Sequence, residues 1–163
     1  VFETGHLVIY SVHGICQIDG ISEKEVLGTT RRYYELHPVS NVKLKISTPV
    51  DNDSLLMVDL IDREEAEKVM QSFKSPGTGW IEKNTERLQT YSKLIRSGDR
   101  EEIANIINAL MRQKQKAEGN NKKLNQQDQV MLASAQNVLF QEMAIALDTS
   151  YESILGKVNG MLA

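Results

Sequence analysis

The apolar pattern of this chain changes period once, near Pro49-Val50-Asp51-Asn52. Before that point apolar residues come in short runs and strict alternation. After it they recur at three and four residues to the end. Alternation places side chains on opposite faces of a strand, and the longer period places them along one stripe of a helix. The expected fold is therefore α+β with two domains. A small antiparallel β-barrel covers residues 1–52, and an all-α domain of about five helices covers 53–163.

Size limits the first part. About 40 residues is close to the lower limit for a domain that folds without staples. Cys16 is the single cysteine, so no intramolecular disulfide can help. A thin core is expected there, and an ordinary helical core in the second part.

Leu7-Val8-Ile9-Tyr10 reads as a strand, bounded by Gly5 and by Ser11-Val12-His13-Gly14. Ile15 to Ile21 is a second, with Gly20 a bend or bulge inside it. Val26-Leu27-Gly28 leads into a turn. Arg31 to Leu36 is strand-like, and Pro38 closes it. Val42, Leu44 and Ile46 alternate with Lys43, Lys45 and Ser47. That predicts an edge strand with one buried face and outward lysines.

The second part begins with the apolar stretch Leu55-Leu56-Met57-Val58. Asp62 caps a helix with Glu64 and Glu65 in its first turn, where the helix dipole favours acids. Ala66, Val69, Met70 and Phe73 form its stripe, and Ser75-Pro76-Gly77 stops it. Trp80 opens the next helix, on which Leu88, Tyr91 and Ile95 mark the buried face. Gly98 ends it. Ser97 or Asp99 caps a third helix with Ile103, Ile106, Ile107 and Leu110 in its core. Asn125 caps a long fourth helix carrying Val130 through Ala146, and a fifth runs from about Tyr151 to Leu162. The Asn/Gln-rich stretch from Asn120 to Gln129 reads as a solvated loop and helix start.

No catalytic constellation stands out. His6, His13, His37 and Cys16 lack the paired spacing of a structural zinc site. Cys16 reads as a small core residue, and neither a P-loop nor G-x-G-x-x-G is present. No enzyme activity, cofactor or metal is expected. No apolar run approaches the ~18 residues of a membrane span, and no signal-peptide pattern opens the sequence. A cytoplasmic place and no membrane partner are expected.

Charge is unevenly spread. The net formal charge of −3 does not suit a generic polyanion binder. Yet Lys83, Arg87, Lys93, Arg96, Arg100, Arg112, Lys114, Lys116, Lys122 and Lys123 crowd one stretch, and no Lys or Arg occurs from Leu124 to Gly156. Lys83 and Arg87, four apart, share a helix face beyond Trp80. Such an array can neutralise a few phosphates, or be a solvated face diluted by Glu82, Glu86, Glu101, Glu102 and Glu118. Trp80 also has two readings. It is either an anchor that pins the linker to the helices, or an exposed wedge that stacks on a base for ~1–3 kcal/mol.

Gly5 to Tyr10, His13-Gly14-Ile15, Ile18, Gly20-Ile21, Gly28, Tyr33-Tyr34 and Pro49 to Asn52 together resemble the CarD/CdnL family of bacterial transcription regulators. Trp80, Ser97-Gly98-Asp99 and the Leu124-to-Ala146 pattern extend the resemblance over nearly the whole chain. The first module is also similar to the polymerase-binding domain of the transcription-repair coupling factor. The resemblance implies a Tudor-like first domain that binds the β-subunit lobe of RNA polymerase, partly by strand pairing. It implies a helical domain that contacts promoter DNA at the upstream edge of the transcription bubble. There a Trp acts as a minor-groove wedge that helps keep the open complex open. Polymerase supplies the location, so no base code is required, and tethering makes modest DNA affinity sufficient.

The polymerase-binding residues implied by the resemblance are Lys24, where other members carry Arg, Ser47, near a second such Arg, and Lys45 as its substitute. The DNA-binding residues are Trp80, Lys83, Arg87, Lys93, Lys122 and Lys123. Two departures stand out. Relative to Ser97-Gly98-Asp99, Trp80 lies about four residues earlier than the wedge of actinobacterial members, close to one helical turn or ~6 Å along an axis. Gln129 stands where many members carry Lys, and the basic charge sits at Lys122 and Lys123 instead. The leading expectation is a non-enzymatic, monomeric regulator that bridges RNA polymerase and promoter DNA. The alternative is an adaptor that binds RNA polymerase or another partner without direct DNA contact, with Trp80 in its core.

Overall fold

A computed structural model describes residues 2–10, 13–51 and 57–162. The chain divides after Leu60 into two compact units. The first is a five-stranded antiparallel sheet in the order β4-β3-β2-β1-β5. Its strands are β1 (Leu7–Tyr10), β2 (Gly14–Val26), β3 (Thr29–Pro38), β4 (Ile46–Pro49) and β5 (Met57–Asp59). The first four strands form a meander and β5 returns beside β1, an arrangement consistent with the expected Tudor-like domain.

Val8, Tyr10, Cys16, Ile18, Tyr34 and Leu36 alternate onto one face and form the core, with Phe2, Ile46, Val50 and Met57 packed against it. Burial pushes the Cys16 thiol up to about 11, so it packs as an apolar group and stays protonated. The β2–β3 hairpin runs on past this core, and residues 23–32 are exposed throughout. Its turn is Leu27-Gly28, both at positive φ, +52° and +79°. Two such residues make the mirror-image turn whose twist matches the flanking strands. The register shifts between Ile18 and Gly20, which places the expected bulge.

Among the described residues the sheet is open, with β4 and β5 as edges that do not pair with each other. Two details differ from expectation. Val42 and Leu44 are not in a strand. The Asn41 N–H donates to the Pro38 carbonyl at 3.1 Å, the Leu44 N–H to the Asn41 carbonyl at 3.2 Å, and the Lys43 N–H to the Asn41 side chain at 3.3 Å. These local bonds compete with strand pairing and leave Val42 62% exposed. The edge strand begins only at Ile46. At the opposite edge, β5 pairs with β1 (Val8↔Asp59, Tyr10↔Met57). The sheet domain therefore extends beyond residue 52, and the expected boundary at 52/53, with Leu55 and Leu56, lies outside the described residues.

The second unit has five helices: α1 (Arg63–Ser72), α2 (Asn84–Arg96), α3 (Arg100–Gly119), α4 (Gln126–Ala146) and α5 (Tyr151–Leu162). Asp62, Asp99 and Asn125 cap α1, α3 and α4 by accepting N–H groups of the first turn. Gly98, at φ +79°, ends α2. The start of α2 differs from expectation. It begins behind Lys83 with no side-chain cap, and Trp80 precedes the helix. Phe73, Tyr91, Ile106, Ile107, Leu110, Phe140, Met143 and Ile154 are fully buried, and Phe73 meets Phe140 edge-on at 5.9 Å. Val130 is 54% exposed, because Met131, Leu132, Ala135 and Leu139 already fill the inward stripe of α4. Among the described residues no single helix is long and apolar enough to cross a membrane.

Candidate nucleic-acid interface

Residues 73–83 join α1 to α2 without regular structure, yet they are pinned along their length. The Ser75 carbonyl accepts from Asn108 Nδ2 at 2.7 Å. Gly77 lies so close to α3 that a Cβ would collide with the Asn105 carbonyl oxygen and the Ala109 amide nitrogen. Only glycine permits that approach, and the neighbouring Thr78 N–H then reaches the same carbonyl at 3.2 Å. The Gly79 carbonyl accepts from the Tyr91 hydroxyl at 2.8 Å. Ser-Pro-Gly-Thr-Gly is thus a fitted strap rather than a slack linker.

This strap presents Trp80. The residue is half-buried and packs against the helical core. Its ring meets Tyr91 edge-on at 6.2 Å. The Arg87 guanidinium covers one ring face, with Cζ 4.3 Å from the centroid, inside cation–π range. Trp80 is neither a core residue nor a free wedge: part of the indole is packed and part meets solvent. Trp80 lies before α2 and on no helix, so its displacement does not amount to one helical turn.

Arg87 is not placed for phosphate. It is 3% exposed. Its five N–H donors are all taken, by Asp128 Oδ1 and Oδ2 at 3.1 and 2.5 Å, the Ile81 and Glu82 carbonyls at 2.7 and 3.3 Å, and Asn84 Oδ1 at 2.7 Å. The expected shared face with Lys83 does not form, because Lys83 precedes α2 while Arg87 turns inward. Asp128 lies in the first turn of α4, where the helix dipole also favours its charge. Along the sequence Asp128 falls within the Asn/Gln-rich stretch expected to be solvated, yet it is buried.

Two partly buried arginines follow suit. Arg100 meets Glu142 at 3.1 and 2.8 Å, and Glu142 also accepts the Ile61 N–H at 3.0 Å. Arg112 donates to Asn108 Oδ1 at 2.7 Å and to the Phe73 carbonyl at 3.1 Å. The fork of an arginine suits such internal work, whereas lysine keeps its ammonium in water. Lys83, Lys93, Lys114, Lys122 and Lys123 are exposed, and among the described residues no ion pair holds them. Lys114, Lys122 and Lys123 line an open groove with Glu118, Gln129 and Leu132. Arg87 and Asp128 tie the start of α2 to the start of α4, so Trp80, Lys83 and the loop carrying Lys122 and Lys123 gather at one end of the domain. Lys93 does not join them, since it lies in the last turn of α2.

In the sheet unit, Lys24 and Ser47 come together across three strands. Lys24 Nζ lies 2.8 Å from Ser47 Oγ and 3.2 Å from Glu35 Oε1. The Ser22 and Ser47 hydroxyls donate to the same carboxylate oxygen at 2.7 and 2.9 Å. The Ser22 hydrogen bond above all, with those of Ser47 and Lys24, holds the Glu35 carboxyl below its ordinary value. Lys45 precedes β4, is exposed, and takes no part in these contacts. Glu35 and Ser22 went unread in the sequence because only the cross-strand register brings them together.

The histidines are dispersed. His6 pairs with Asp59 at 2.6 Å, His37 with Asp19 at 2.8 Å, and His13 meets the Tyr10 ring. Among the described residues no three His, Cys, Asp or Glu side chains gather as a metal site.

Residues 2–61 match the family described as CarD-like/TRCF RID domain, and residues 57–159 match the family described as CarD, C-terminal domain. A Bacillus subtilis (strain 168) protein, YdeB, named as a candidate transcription factor, is 26% identical over 146 residues, which cover 89% of this chain and 92% of its own. The two matches follow one another along the sheet unit and the helical unit, and on that basis the chain belongs to the CarD family.

Proposed function

We propose that this protein is a non-enzymatic regulator that bridges RNA polymerase and promoter DNA. The family suggests transcription regulation involving RNA polymerase. In this reading the sheet domain binds the β-subunit lobe through the edge of β4 and the Lys24–Ser47 surface beside it, with Lys45 at its margin. The helical domain contacts DNA at the upstream edge of the bubble and slows its closure.

One observation carries the DNA side. Trp80 is held by a pinned strap just before Lys83 and is linked through Arg87 to Asp128 at the start of α4, the helix that follows the loop with Lys122 and Lys123. A wedge stabilises a deformed minor groove, and the lysines supply charge against phosphates. Neither contact reads a base code, and the tether to polymerase raises the local concentration of DNA.

The packed part of Trp80 favours a second reading, an adaptor that never touches DNA. The separating experiment is open-complex lifetime on a promoter with Trp80→Ala, with β-lobe binding measured on the same variant. The expected result is a lifetime close to that without the protein and unchanged lobe binding. A parent-like lifetime would leave the adaptor reading in its place.

A further inference from the structure

We infer that Arg87, locked by Asp128, is a positioning residue for Trp80 and sets which side of the indole meets the minor groove. This rests on the reading of Trp80 as the DNA-contacting side chain. A pair serving stability alone would need only the two bonds between the Arg87 fork and the Asp128 carboxylate. Two further donors hold the carbonyls of Ile81 and Glu82, the residues that follow Trp80. The guanidinium carbon also lies over the ring itself. The ring of Trp80 and the backbone of the two residues after it are thus fixed by one side chain, and that side chain is anchored to α4. With Tyr91 in edge-to-face contact with the ring as well, rotation of the indole is opposed by two side chains.

The consequence is directional. Arg87 occupies one ring face, so a base step can meet only the other. A loose ring would lose rotamer freedom on contact, which opposes binding. A ring already held binds more tightly with no added contact. Lysine cannot replace Arg87 here, because an ammonium has neither the plane that stacks nor the fork that reaches both the carboxylate and the carbonyls.

Trp80 is the only tryptophan, so emission of the full chain reports this ring alone. The test variant is Arg87→Met with Asp128→Leu, which removes both charges and keeps the site filled, a change buried ion pairs often tolerate. Arg87→Lys is the second variant, should the first not fold by circular dichroism. The expected result is red-shifted emission, increased quenching by acrylamide, and loss of most of the Trp80-dependent gain in open-complex lifetime. Parent-like emission and quenching in either folded variant would overturn the positioning role. So would shifted emission with a parent-like lifetime, provided Trp80→Ala shortens it. If Trp80→Ala leaves the lifetime unchanged, the DNA reading fails and takes this role with it, an outcome the fluorescence distinguishes from a failure of Arg87 alone.

Discussion

At the scale of single residues, buried charges decide the shape of the helical domain. Arg87 stands four positions before Tyr91, and Asp128 three before Met131, so each falls on an apolar stripe. A charge on a buried stripe implies a partner of opposite sign. That much is legible from spacing. Which acid pairs with which base is not, because Arg87–Asp128 and Arg100–Glu142 span separations of 41 and 42 residues. Removing one partner strands the other away from water. Asp128→Ala is expected to destabilise the protein by about 3–5 kcal/mol, read by denaturant titration. A loss within experimental error would mean that water reaches Arg87 in solution.

At the scale of elements, turn chemistry settled what periodicity left open. The alternation from Val42 to Ser47 has the period of a strand, but Asn41 captures the backbone of Lys43 and Leu44 first. The hairpin tip shows the converse. Leu27 holds a positive φ that the two-residue turn demands, although its side chain is fully exposed and contributes no packing. Leucine is strained there, and asparagine visits the left-handed region more easily. Leu27→Asn is therefore expected to stabilise the sheet domain by up to about 1 kcal/mol, seen as a higher thermal midpoint. A lower midpoint would show that the exposed tip packs in solution.

At the scale of the whole molecule, charge is sorted by chemistry rather than by net sign. The buried and partly buried arginines of the basic stretch are taken by carboxylates and carbonyls, and its lysines stay exposed. The net charge of −3 therefore says little about DNA. Replacing Lys122 and Lys123 by Ala should reduce the slope of log affinity for DNA against log salt by about 0.9 per lysine. An unchanged slope would move the phosphate contact elsewhere. In the sheet domain, the lowered Glu35 carboxyl sets an acid limit. A depressed folded value means the carboxylate stabilises the fold above its ordinary value of 4.5, and that this contribution is lost as pH falls through the lower folded value. Glu35→Gln should flatten that acid limb in pH-dependent denaturation, and a limb of unchanged slope would assign it to another acid.

Sequence by itself determined the order of the two domains, the helix caps at Asp62 and Asn125, the choice of Ser97 or Asp99 for the third cap, the bulge near Gly20 and the stripes that became cores. All of these follow from local backbone chemistry or from the period of apolar residues, both of which are properties of neighbours in the chain. Only tertiary structure decided that β5 belongs to the sheet, that Lys24 faces Ser47 and Glu35, and that Arg87 lies buried between Asp128 and Trp80. Those outcomes depend on strand register and on contacts between helices far apart in sequence. A guanidinium that reads as surface charge along the chain becomes an internal clamp once a carboxylate from another helix lies within hydrogen-bond reach.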